Sequence, residues 1–94
     1  MNLITFTFEV AEEDQLDFVK TLDELRDFWE EKDFTVSLFR DRSRQTRFLQ
    51  LFLTDKSVDE LTDLIQNQPR AKAVFEKIKD AGSGVVVSVM EQIV

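Results

Sequence analysis

The sequence predicts an α+β fold of ferredoxin-like βαββαβ order, and three observations carry that prediction. Four segments have the length and alternation of strands. Two longer segments repeat their apolar residues every three to four positions. The two kinds occur in the order strand, helix, strand, strand, helix, strand. Ninety-four residues hold one core, so residues 1–94 are expected to form a single ferredoxin-like domain. Its four strands are expected in one antiparallel sheet with both helices on one face.

The first strand is residues 3–10, LITFTFEV, with Ile4, Phe6, Phe8 and Val10 on one side and Thr5, Thr7 and Glu9 on the other. An amphipathic helix follows over residues 11–34. Its Phe18, Leu22, Leu25 and Trp29 step by four, three and four, with Leu16, Val19 and Phe28 beside them. Glu12, Glu13 and Asp14 stand at its N-terminus, where the helix dipole favours negative charge. Trp29 and Phe34 near its end are expected in the core.

Residues 35–41 and 47–54 are strand-like, and the intervening RSRQT has hairpin length without an Asn-Gly turn. Ser57-Val58-Asp59-Glu60 has the form of a capping box. The helix it starts meets Pro69, so a kink or break is predicted at Gln68–Pro69. Ala81-Gly82-Ser83-Gly84 ends that helix, with Gly82 as a left-handed cap, and residues 85–92 form the last strand.

Parity divides the strand residues into two sets. The first contains Ile4, Phe6, Phe8, Val10, Val36, Leu38, Leu49, Leu51, Leu53, Val85, Val87 and Val89, and it is assigned to the helix-covered core. The second contains Thr5, Thr7, Ser37, Phe39, Phe48, Gln50, Phe52, Ser88 and Met90, and it is assigned to the opposite face. Four strands about 4.8 Å apart and about 26 Å long present a surface on the order of 500 Å². A water-facing sheet surface is normally polar, so Phe39, Phe48, Phe52 and Met90 predict a homodimer paired through this face. On that assignment Phe52→Arg yields a monomer or an aggregate. Thr5, Thr7, Phe39, Phe48, Gln50, Phe52 and Met90 are therefore the ligand or dimer-face candidates. Arg47 at the mouth of that face, with Gln50 within it, is placed to orient an anion or a carbonyl group.

Composition narrows the chemistry. The chain has no cysteine, which excludes disulfides, thiolate nucleophiles and Cys-bound metals. It also lacks histidine and tyrosine, the commonest general base and haem ligands. No catalytic residue, metal ligand or cofactor is assigned. Asp23, Asp27, Glu30 and Glu31 are explained as a solvated helix face. Gly82-Ser83-Gly84 lies between a helix and a strand, where a phosphate loop does not work. The net charge of −7 disfavours nucleic acid. The longest apolar run, Val85-Val86-Val87, is too short for a membrane span. Residues 1–10 alternate without a basic leader, so a cytoplasmic location is expected. Against the acidic background, Arg40, Arg42, Arg44 and Arg47 cluster with only Asp41 among them. A solvated loop is the plain explanation; Arg40, Arg42 and Arg44 are the candidates for an anion or partner site.

The run FTVSLFRDRSRQTRFLQLFLTDKSVDEL followed by NQPRAKAVFEKI resembles the dimeric α+β barrel superfamily, and within it the antibiotic-biosynthesis-monooxygenase-like proteins. The likeness lies in a strand, an Arg-Asp hairpin, a second strand, a short S-x-x-x-L helix and a small-residue and proline segment before another helix. It implies a sheet-to-sheet homodimer with a ligand cleft between the helices and sheet of each subunit. Many enzymatic members carry a histidine where this chain has Gln66–Arg70, so no catalytic residue transfers and haem degradation through a histidine ligand is excluded. The expected function is therefore binding of a small apolar or aromatic ligand by a homodimer. A cofactor-independent oxygenase, with Trp29, Asn67, Gln50 or Arg47 positioning the substrate, and a protein-interaction module using the arginine hairpin are the alternatives.

Overall fold

The computed structural model describes residues 1–80 and 84–94. Strand β1 (Asn2–Glu9) is central, because its alternation gives it an inner face to bury and two edges to pair. It pairs antiparallel with β3 (Arg47–Thr54) from Asn2↔Thr54 to Glu9↔Arg47. Its other edge pairs antiparallel with β4 (Val86–Glu91), from Asn2↔Glu91 to Thr7↔Val86. Strand β2 (Thr35–Arg40) adds to the outside of β3. The order is β2-β3-β1-β4, as the ferredoxin-like layout requires. The sheet is open, with β2 and β4 as edges, so one chain alone does not close a barrel.

The helical layer is divided at two points. A 3-10 turn (Glu12–Asp14) leads into α1 (Gln15–Glu24), and α2 (Arg26–Glu31) follows after a break at Leu25. No proline or glycine marks that break. The Leu25 N–H is shared between the carbonyls of Thr21 and Leu22, both at 3.2 Å, which tightens the turn. The end of α2 is a Schellman closure. Phe34 N–H donates to Trp29 O at 2.9 Å and Asp33 N–H to Glu30 O at 3.1 Å, while Asp33 takes a left-handed φ of 66°. The Trp29 and Phe34 rings meet edge to face at 5.5 Å, the apolar contact that accompanies this motif.

Helix α3 (Val58–Asn67) starts with the predicted capping box. Ser57 Oγ accepts from Glu60 N–H at 3.2 Å, and Glu60 Oε2 accepts from Ser57 N–H at 2.8 Å. The break before Pro69 also occurs as predicted. Gln68 takes an extended conformation, because a residue preceding proline is pushed away from the helical region. Pro69 then occupies the first position of α4 (Pro69–Asp80), where its missing N–H costs nothing. The Gln68 side-chain oxygen caps this second piece by accepting from Arg70 N–H at 2.6 Å and Ala71 N–H at 3.1 Å. The Gly82 cap lies outside the described residues.

One strand is inverted relative to the parity assignment. Ile4 faces Phe52, Phe6 faces Gln50 and Phe8 faces Phe48 across the β1–β3 ladder, and residues directly opposite share a face. Phe48, Gln50 and Phe52 are therefore buried beneath the helices, and Leu49, Leu51 and Leu53 lie on the open face. Both parities of β3 are rich in apolar residues, so alternation alone did not orient it. The larger rings take the inner side because aromatic partners wait there. Phe52 meets Phe6 at 5.6 Å, Trp29 at 5.2 Å and Phe34 at 6.0 Å, all edge to face. Arginine at the enclosed Phe52 position would disrupt the core, so that substitution cannot report on dimer contacts. A second correction concerns β4. Val87 and Val89 sit on the helix side by register, yet they are half exposed because the helical layer stops short of this edge.

Candidate functional site

The inner face and the helices leave a cleft. Phe6 and Gln50 supply its floor, Leu22, Leu25 and Trp29 one wall, and Ala71, Val74 and Phe75 the other. The inner hollow is about 20 Å³, room for one water. An adjoining groove of about 210 Å³ runs between α1 and β2, bounded by Val19, Leu22, Val36, Leu38 and Gln50. Asp23 and Arg26 form an ion pair of 3.5 Å at its rim, so its charges are already matched.

Together with Leu22, Gln50 lines both spaces. It is only 9% exposed, and no described residue hydrogen-bonds its side-chain amide. No fully buried side-chain nitrogen or oxygen among the described residues lacks a partner, so the Gln50 amide reaches solvent through the groove and is free to bond water or a ligand there. Phe6, Trp29, Phe52 and Phe75 surround it with ring surface. An apolar pocket with one convergent polar group can orient a carbonyl or hydroxyl. It offers no general acid or base.

Two ion pairs span the helices over the cleft. Arg70, near the start of α4, pairs with Glu24 at the end of α1. Lys77 reaches Asp14 at 3.9 Å. The hydrogen bond from Arg70 holds the Glu24 carboxyl below its ordinary range; desolvation opposes this, and the charges of Arg70 and Lys20 reinforce it.

The sequence candidates separate into three places. Gln50, Phe52 and Trp29 line the cleft, and Phe48 packs in the core against Phe8 and Phe18. Thr5, Thr7, Phe39 and Met90 lie on the open face with Leu49, Leu51 and Leu53, by the register of the three ladders. Phe39 is 55% exposed and Met90 61%. Arg47 also lies on the open face, opposite Glu9, and Arg40, Arg42 and Arg44 are exposed around the hairpin. Asn67 is exposed at the end of α3 and lines neither part of the cleft. Val74 and Phe75 were not among the sequence candidates for the site. Their helical spacing marked them as apolar, but only the packing of α4 over β1 turns them towards Gln50.

No protein-family model and no curated protein matches the chain. Solved structures do. An antibiotic biosynthesis monooxygenase aligns over 100% of both chains with a TM-score of 0.76 at 13% identity. A provisionally assigned antibiotic biosynthesis monooxygenase from Deinococcus radiodurans aligns over 100% of this chain and 94% of its own, with a TM-score of 0.75 at 13% identity. An uncharacterized NIPSNAP domain protein from Burkholderia xenovorans aligns over 99% and 95%, with a TM-score of 0.66 at 9% identity. Such identities speak for the fold and leave the activity open. Among the described residues no helix is long and apolar enough to cross a membrane. The chain thus has the ferredoxin-like α+β fold of the antibiotic-biosynthesis-monooxygenase-like structures.

Proposed function

We propose that this protein binds a small apolar or aromatic molecule in the cleft between helices and sheet, and does so as a homodimer paired through the open sheet face. The observation that carries the ligand reading is Gln50, an amide with no protein partner among the described residues, set between the aromatic hollow and the apolar groove and open to solvent. The groove of about 210 Å³ suits a compact ligand bearing one carbonyl or hydroxyl, with the inner hollow left to a water. Pairing is supported by the open face, where Leu3, Leu49, Leu51 and Leu53 adjoin Phe39 and Met90. Two such faces together remove on the order of 1,000 Å² from water, the lower bound for a specific interface.

Trp29 is the only tryptophan and lines the inner hollow beside Gln50, so its emission reports on a ligand that reaches that amide from the groove. Titration with naphthols and naphthoquinones is expected to shift that emission saturably. Gln50→Leu is expected to weaken the oxygen-bearing ligands about tenfold while sparing naphthalene itself. No shift across the set would overturn the ligand reading.

A second reading is a cofactor-independent oxygenase, favoured by the fold shared with monooxygenase structures. In it the substrate would supply its own electrons to oxygen, and Gln50 and Trp29 would position it. Oxygen uptake with dihydroxyaromatic substrates separates the readings: binding without uptake leaves the protein a binder.

A further inference from the structure

The groove between α1 and β2 is bordered by three consecutive strand residues, Val36, Ser37 and Leu38, together with Val19, Leu22 and Gln50. Alternation sends the Val36 and Leu38 side chains to the helix side, whereas Ser37, opposite Leu51, belongs to the open face. All three border one groove because the outer backbone edge of β2 runs along it. Strand β2 is an edge of the sheet, so that backbone has no neighbouring strand on its outer side.

The phase of the ladder decides which backbone groups point outward. Asp41 N–H donates to Arg47 O at 2.9 Å. Hydrogen-bonded pairs alternate along an antiparallel ladder, so Phe39–Leu49, Ser37–Leu51 and Thr35–Leu53 are the bonded pairs. The β1–β3 ladder agrees. Val10 N–H donates to Thr46 O at 2.7 Å, which leaves the odd-numbered residues of β3 to bond β2. Val36 and Leu38 therefore turn their N–H and C=O groups away from β3, towards the groove. Among the described residues, no backbone or side-chain group hydrogen-bonds them there. Val36 C=O and Leu38 N–H thus flank Ser37 and point the same way, an acceptor beside a donor, along a groove walled by Val19 and Leu22. Hydrogen bonds made against such apolar walls are stronger than the same bonds in open water.

A ligand with a single hydroxyl or carbonyl meets only one of these two backbone groups. A flat aromatic lactam carries an N–H and a C=O next to each other in the plane of its ring, and meets both. We infer that the groove recognises an aromatic lactam, whose C=O accepts from Leu38 N–H and whose N–H donates to Val36 C=O, with the ring against Val19, Leu22 and Leu38. The lactam carbonyl keeps a second lone pair for the Gln50 amide. A groove of about 210 Å³ limits such a ligand to about two rings. The inference rests on the cleft being a ligand site and adds the class of ligand that the site prefers.

Quinolin-2-one is the probe, titrated against isotope-labelled protein beside its N-methyl derivative, 2-naphthol and naphthalene, and read from backbone amide NMR shifts. A saturable shift of Leu38 N–H is expected with quinolin-2-one. The N-methyl derivative, which has lost the donor, is expected to bind about tenfold more weakly, and 2-naphthol likewise. Leu38→Pro removes the outward donor and no ladder bond, because an edge strand tolerates proline where the N–H faces away from the sheet. With unaltered melting it is expected to weaken quinolin-2-one about tenfold and to leave naphthalene unaffected. Should that variant fail to fold, the ligand comparison on the unaltered chain decides. The inference is overturned if the N-methyl derivative binds equally well, if quinolin-2-one binds without moving Leu38 N–H, or if a folded Leu38→Pro retains full affinity. A capped valine tripeptide that binds more tightly than quinolin-2-one would overturn it too, since the edge would then be a strand-docking site. Quinolin-2-one binding no tighter than 2-naphthol sinks the lactam preference and leaves the cleft reading standing. Absence of binding by all four compounds brings down both.

Discussion

The two faces of strand β3 differ by one position in sequence and in nearly everything else. Phe48, Gln50 and Phe52 lie under the helices, the two rings in edge-to-face clusters and the amide between them. Leu49, Leu51 and Leu53 lie on the opposite side, where no described helix covers them. The covered face has shape: rings meet at defined angles and leave a cleft with one polar group. The open face carries a line of leucines along β3 flanked by the hydroxyls of Thr5, Thr7, Ser37 and Ser88, with charge at the hairpin end. Apolar character alone therefore does not distinguish a core from an interface. Partners do, and here the aromatic partners supplied by β1 and the helices draw the phenylalanines inward.

Substitutions sharpen this contrast in order of size. Phe52→Ala is expected to cost about 3–5 kcal/mol in urea unfolding, because it empties the centre of the aromatic cluster. A loss below about 1 kcal/mol would mean that the ring is not enclosed. Ser57→Ala removes the cap on α3, one of the helices that make the covered face, and should cost about 1 kcal/mol in the same assay. An unchanged midpoint would mean that the capping box contributes nothing. Asp33→Gly acts in the opposite direction. Asp33 holds a left-handed conformation that glycine adopts freely, so a gain of up to about 1 kcal/mol is expected. Destabilisation instead would show that the aspartate side chain earns its place at that turn.

The smallest effect is the pH dependence of the helix latch. Hydrogen bonding to Arg70 lowers the Glu24 pKa on folding. Its contribution is thus fully present above the ordinary carboxylate range and is lost as pH falls through the lowered folded value. Arg70→Gln should remove that part of the acid limb from the stability profile and leave the neutral region nearly unchanged. The pair is exposed, so the difference is small. A profile identical to wild type below pH 5 would show that the latch is idle.

Much of the architecture was legible because local chemistry and global fold agree. The alternation of Ile4, Phe6, Phe8 and Val10, the Ser57 box and the Gln68–Pro69 break each have a local cause, and each appears where that cause puts it. Strand β3 lacked such a cause, since leucines and phenylalanines are both at home inside. The break at Leu25 had no marker residue at all. The site was less legible for a related reason. Gln50 stood out by its amide, but its neighbours Val74 and Phe75 come from a helix more than twenty positions away, and only packing brings them together. Asn67 stood out equally by type and points to no cleft; in the same segment it is Gln68 whose amide has a task, capping α4.

Sedimentation of wild type beside Leu51→Arg tests the contrast between the faces most directly. Leu51 lies at the centre of the open face, opposite Thr5 and Ser37. The account predicts that wild type sediments as a dimer, and that Leu51→Arg sediments as a monomer with unchanged circular dichroism and Trp29 emission. A monomeric wild type at tens of micromolar, or a dimer that survives arginine at this position, would contradict it.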